Sequence, residues 1–202
     1  MRKSKYLVLN SFYFDFNNDL SEIKEIKALF ENQNILDLFR FDKLISIKEY
    51  QFMKKKINFI YLSKNIETIN EDAFQGNQIK ILDLSNCINL KTIKMWSFFK
   101  NQIKQLKLPK NIKIVGNFAF YSNQIEILDL SKYMFLDEIF YNAFSKNPLK
   151  EIKILNDIDI NYSYDDDYKY NLWNRFVKYY NKNNKKSGDY IYINGEWQWY
   201  PL

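Results

Sequence analysis

Any chemistry in this chain must be done without histidine. The 202 residues contain none, which removes imidazole bases, Ser-His and Cys-His dyads and His-based zinc sites. The single cysteine, Cys87, has neither a basic sequence neighbour to activate its thiol nor a second cysteine for a disulfide or thiolate cage. It reads as a packing residue and suits a reducing compartment. Asp165-Asp166-Asp167 supplies hard oxygens but lacks the Gly turn and distal Glu of a calcium loop, so it reads as a solvated loop. No Gly-rich phosphate loop occurs. What remains are surfaces. Lys54-Lys55-Lys56 and the lysines between 182 and 186 are able to touch phosphates. Four rings, Tyr190, Tyr192, Trp197 and Trp199, either stack on sugars or bases or, as the preferred reading, finish a core. No catalytic or metal-binding residue and no cofactor is implied.

The elements that carry these residues follow from composition and periodicity. A chain that is 47% hydrophobic and 27% charged can bury one substantial core, and only 4 Gly and 3 Pro leave no room for flexible linkers. The net charge of +6 permits nucleic acid as a partner, but acids are mixed through the same segments. Behind the basic start Met1–Lys5, the apolar run Tyr6 to Leu9 is too short for a secretory core of about 7 residues or a membrane span of about 20. The expectation is a soluble cytoplasmic protein without membrane contact, with surface or secreted localisation as the alternative.

Self-similarity dominates the rest. Displacing the chain by 46 residues lays 65–110 over 111–156 without a gap and with 19 identities. Two units lie within each period, marked by Phe52, Phe74, Phe98, Phe120 and Phe144. Each unit holds an apolar triplet, such as Ile79, Leu82 and Leu84, whose last two members face a common core because alternate residues of a strand share a side. A second apolar pair follows, such as Leu90 and Ile93, and forms a return layer. A small residue precedes most marker phenylalanines, so that the rings stack along the solenoid axis. Asn77, Asn101, Asn123 and Asn147 recur just before successive strands, where asparagine side chains satisfy turn backbone groups.

The strand motif, the Ala-Phe step, the Asn three residues later and the Leu-Ser or Leu-Pro after each strand resemble the BspA-type bacterial leucine-rich repeat family over about Ile35 to Leu155. The resemblance implies a right-handed α/β leucine-rich repeat solenoid with one short strand per unit of 22–24 residues, and a protein partner, since such repeats are associated with adhesion and protein binding at bacterial surfaces. The expected organisation is an N-terminal cap over 1–34, repeats over 35–155 and a C-terminal cap over 156–202. The first cap consists of a strand through Tyr6–Phe16 and a helix from Asp19 to about Asn32, opened by Asp19 with Glu22. The second consists of a helical stripe at Leu172, Trp173, Phe176, Val177 and Tyr180 and a hairpin turning at Asn194-Gly195, with Tyr192 opposite Trp197 and Tyr190 opposite Trp199.

Outward strand positions align into columns on an exposed concave surface. One column runs Asp37, Tyr61, Asp83, Lys107, Asp129, Lys153, and its neighbour Ile35, Phe59, Ile81, Gln105, Ile127, Glu151. The predicted partner-binding set is Phe59, Tyr61, Ile81, Asp83, Gln105, Lys107, Ile127, Asp129, Glu151 and Lys153. Alternating Asp and Lys predict neutralising cross-strand pairs, and the apolar members predict an interface patch. The functional expectation is a non-catalytic binding module, an intracellular protein-interaction or inhibitor protein. An exported adhesin and a nucleic-acid or nucleoprotein binder are the alternatives.

Overall fold

The computed structural model describes residues 34–39, 41–42, 44–155, 157–161 and 171–202. The expected N-terminal strand and helix, and Asp165-Asp166-Asp167, lie outside them.

Each repeat contributes two short strands. The longer ones are β1 (Ile35–Asp37), β3 (Phe59–Tyr61), β5 (Ile81–Asp83), β7 (Gln105–Lys107), β9 (Ile127–Asp129) and β11 (Glu151–Ile154). The return strands are β2 (Ser46–Ile47), β4 (Thr68–Ile69), β6 (Thr92–Ile93), β8 (Ile114–Val115), β10 (Glu138–Ile139) and β12 (Asp159–Ile160). The return strands form one continuous six-stranded parallel sheet. Between the two layers lies a core of inward Ile and Leu, with Leu44, Ile47, Ile66, Ile69, Leu90, Ile93, Ile112, Val115, Leu136 and Ile139 all buried as the repeat requires.

The marker phenylalanines form a column through this core. Phe52, Phe74, Phe98, Phe120 and Phe144 stack ring on ring at 5.2, 5.2, 5.4 and 5.2 Å. A solenoid leaves backbone groups of its turns facing the interior, and the asparagines satisfy them. Asn123 Nδ2 donates to Phe98 O at 2.9 Å and Phe120 O at 3.0 Å, while its Oδ1 accepts from Ile103 N at 3.0 Å. Asn77 and Asn147 repeat this arrangement, and Asn101 makes a reduced version of it.

The end of the stack is covered by helix α1 (Leu172–Lys182), β13 (Gly188–Ile193) and β14 (Glu196–Tyr200). Asn171 caps α1 by accepting from Asn174 N at 3.4 Å. Trp173 then meets the last ring of the column, Phe144, at 5.0 Å, and Phe176, Val177 and Tyr180 complete the buried side of the helix. Asn194 and Gly195 both take left-handed φ values, 51° and 87°, which makes the tight turn the Asn-Gly pair predicts. The expected register holds, with Tyr192 opposite Trp197 and Tyr190 opposite Trp199. β13 also pairs antiparallel with β11, so the hairpin extends the sheet beyond the last repeat.

Candidate interaction face

The outward residues of the longer strands stand where the repeat puts them. Phe59, Tyr61, Ile81 and Ile127 are 43%, 55%, 49% and 57% exposed, high for large apolar side chains with no internal partner to cover them. Asp83, Gln105 and Lys107 are exposed as well, whereas Asp129, Glu151 and Lys153 are half-buried. The hairpin accounts for part of that difference, because β13 sets Ile191 opposite Glu151 and Asp189 opposite Lys153. Ile191 and Asp189 therefore join the same face. The outward side of the hairpin was legible in the Asn-Gly turn, but its attachment to β11 had no local signal.

The columns are interrupted. The longer strands do not form one continuous sheet. β1 pairs with β3, β5 with β7 and β9 with β11, while β3–β5 and β7–β9 lack ladder bonds. The unequal repeat lengths explain this. The connection from β5 to β6 is two residues longer than that from β7 to β8, and the same alternation holds from β1 to β10. Each long connection begins with an Asx turn, Asp83 Oδ1 accepting from Ser85 N at 3.0 Å and Asp129 Oδ1 accepting from Ser131 N at 3.1 Å. It then sends a side chain inward: Cys87 in one, Tyr133 in another. At paired junctions the leucine after the strand donates across, as from Leu84 N to Lys107 O at 2.8 Å and from Leu130 N to Lys153 O at 2.8 Å. At the β7–β9 junction Leu108 N donates instead to the Tyr133 hydroxyl at 2.9 Å. The result is a surface cleft of about 630 Å³ between β7 and β9, with Leu106 half-buried at its floor where its counterparts Leu82 and Leu128 are buried.

The expected alternating Asp-Lys ladder forms only in part. Lys107 Nζ lies 2.9 Å from Asp83 Oδ2 across the paired strands β5 and β7. Asp129 is taken instead by Lys132 of its own turn at 2.9 Å. Lys153 is held by Glu151 at 3.0 Å and Asp189 at 3.3 Å. The break between β7 and β9 separates Lys107 from Asp129, and the hairpin supplies Lys153 with an acid that column counting leaves out. Burial pushes the Asp83 and Asp129 carboxyls up, but bonds from Ser85 and Lys107, and from Ser131 and Lys132, outweigh it and hold both below the ordinary range. Bonds donated to Glu151 and Asp189 raise Lys153. Each of these charges therefore has an opposite charge within 3.3 Å.

The remaining candidates resolve as packing or open surface. Cys87 is buried, and its thiol is pushed up to about 11, first by burial and then by the Asp83 charge. Tyr190 and Trp197 are buried against α1, with Phe176 at 5.2 and 5.5 Å, and so finish the core, while Tyr192 and Trp199 pack against it half-buried. Among the described residues no group of His, Cys, Asp and Glu side chains is placed to hold a metal ion, and no helix is long and apolar enough to cross a membrane.

Two stacked strand layers, an alternating repeat and a ring column are now joined to a family match. Residues 45–164, more than half of the chain, match the family described as BspA type Leucine rich repeat region, in six copies. The chain belongs to the BspA-type leucine-rich repeat family. Comparison with curated proteins and with solved structures found no match. Family membership accords with the β-solenoid and supports a protein-binding module.

Proposed function

We propose that this BspA-type repeat protein is a non-catalytic, intracellular protein-interaction module, acting as a binder or inhibitor through the exposed side of its longer strands. The observation that carries the reading is the cluster of large apolar side chains, Phe59, Tyr61 and Ile81, with Ile127 farther along, left open on a framework whose interior is fully packed. Rings and branched aliphatics on a rigid support give buried area at little ordering cost, and the flanking Asp83–Lys107 pair supplies a polar rim. Gln105 and Lys107 beside the β7–β9 cleft, and Asp129, Glu151 and Lys153 beyond it, extend the same docking wall toward the hairpin.

The test is a comparison of the wild type with a combined Phe59→Ser, Tyr61→Ser, Ile81→Ser variant as bait in extract of the native cell. Loss of the captured protein, with thermal stability nearly unchanged, is expected because these side chains contribute little to the core. Retained capture would move the interface off this face. Capture that survives the substitutions but falls steeply between roughly 50 and 200 mM salt would favour nucleic acid.

A further inference from the structure

The hairpin that closes the stack leaves a second feature unused by the face just described. β14 is the last strand of its sheet, in the order β14-β13-β11-β9, and among the described residues nothing pairs with its outer edge. Ile193–Glu196 is the pair flanking the two-residue turn and Ile191–Gln198 the next hydrogen-bonded pair, so the N–H and C=O groups of Trp197 and Trp199 point away from β13. The same alternation aims Tyr192 of β13 at β11, where its N–H donates to Lys150 O at 2.8 Å. β14 thus presents a row of open backbone donors and acceptors, uninterrupted by proline or bulge.

Alongside this edge runs a cleft of about 280 Å³ lined by Arg175, Lys178, Tyr179 and Lys182 of α1 and by Glu196 and Trp197 of β14. The three cations recur at i, i+3 and i+7, along one side of the helix. Arg175 is fixed in place, its Nη1 donating to the Tyr192 hydroxyl at 2.6 Å and its Nη2 to Gly195 O, both uncharged acceptors. Among the described residues lining the cleft, Arg175 and Lys182 outnumber the single acid, Glu196.

We propose that the groove between α1 and the open edge of β14 receives an extended acidic segment of a partner protein as an added strand. The peptide backbone pairs with Trp197 and Trp199, and the alternate side chains that face α1 are acids, which meet Arg175, Lys178 and Lys182 beside Tyr179. Charge selects this occupant over a second copy of the chain. A symmetric β14–β14 pairing would bring two basic helix faces together with only Glu196 from each side to offset them.

The probe is a fluorescein-labelled ten-residue peptide alternating Glu and Val, read by anisotropy against the whole chain, with a Lys-Val peptide as control. The Glu-Val peptide should bind and the Lys-Val peptide should not. Lys178→Glu with Lys182→Glu, both at the helix surface, should weaken binding by roughly tenfold or more with an unchanged circular dichroism spectrum. Two further probes carry N-methyl groups on alternate residues. One set blocks the bonding nitrogens and should lose binding, the other should keep it. Equal binding of both, or of the Lys-Val control, would overturn strand addition. A concentration-dependent dimer in sedimentation that the peptide dissolves would assign the edge to a second copy and overturn the proposal as well. The Phe59, Tyr61 and Ile81 substitutions should leave peptide affinity unchanged, which separates failure here from failure of the other face.

Discussion

Replacing Asn123 by alanine tests the interior ladder at one rung. Three bonds disappear with the side chain, but the loss is uneven. Phe120 O keeps the Nδ2 of Asn147 at 2.9 Å, whereas Ile103 N and Phe98 O have no other partner among the described residues. Two buried backbone groups are therefore left unsatisfied. At about 1–3 kcal/mol each, the expected destabilisation is about 2–6 kcal/mol. For a chain of this size each kcal/mol moves the melting temperature by about 2–4 °C. Urea and thermal unfolding followed by circular dichroism should show that shift, while Gln124→Ala at the adjacent exposed position stays within about 0.5 kcal/mol of wild type. Asn123→Asp separates bonding from volume. It can still accept from Ile103 but has no amide hydrogen for Phe98, so it too must destabilise. A loss below about 1 kcal/mol for Asn123→Ala would refute the view that the repeated asparagines hold the turns.

Three other outcomes follow from the same geometry. Phe98→Ala empties a fully buried site between rings at 5.2 and 5.4 Å and should cost about 3–5 kcal/mol in urea denaturation, where a loss under 1 would mean that the column does not carry load. Cys87, 2% exposed and with its thiol pushed up to about 11, should not react with an aromatic disulfide reagent at pH 8 in the native state and should release one equivalent in denaturant; fast native reaction would contradict its burial. Asp83 is held below its ordinary value of 3.8, so its contribution to stability is present above that value and disappears as the pH falls through the lower folded one. Asp83→Asn should accordingly lower the urea midpoint slightly at pH 7 and make no difference in strong acid, a gap that measurements across pH would reveal as constant if the pairing were irrelevant.

Much of the fold was legible because it is written several times. One Ile-x-x-Leu-x-Leu segment is ambiguous, but its recurrence at fixed spacing fixes which residues are equivalent, and equivalence in a stacked repeat implies both the Phe column and the Asn ladder. Hairpin pairing was legible from Asn194-Gly195, since that turn sets the register. Side-chain exposure along the predicted face was also readable from period-two alternation, as Phe59, Ile81 and Ile127 illustrate.

What escaped the sequence depends on distances between units. The two-residue alternation in connection length was visible, but its effect, separating β7 from β9 and opening the cleft over Leu106, arises only when the stack is built. The same break redirects Asp129 to Lys132, which a column of charges does not anticipate. Corner residues were hidden for a different reason. Tyr50, Asp72, Trp96, Phe118 and Asn142 occupy equivalent corners with φ between 55° and 58°, and Tyr, Trp and Phe carry no sequence signal for the left-handed region. The β14 groove was unreadable because α1 and the hairpin meet through tertiary contacts, such as Phe176 with Trp197 and Arg175 with Tyr192, that no local pattern announces.

The most direct test of the docking face is hydrogen–deuterium exchange on the complex with the captured partner. Peptides containing Phe59–Tyr61, Ile81–Asp83 and Gln105–Lys107 should gain protection together, while the return strands around Thr68–Ile69 and Thr92–Ile93 remain as they are in the free protein. New protection confined to the return strands, with the three longer strands unchanged, would contradict the account.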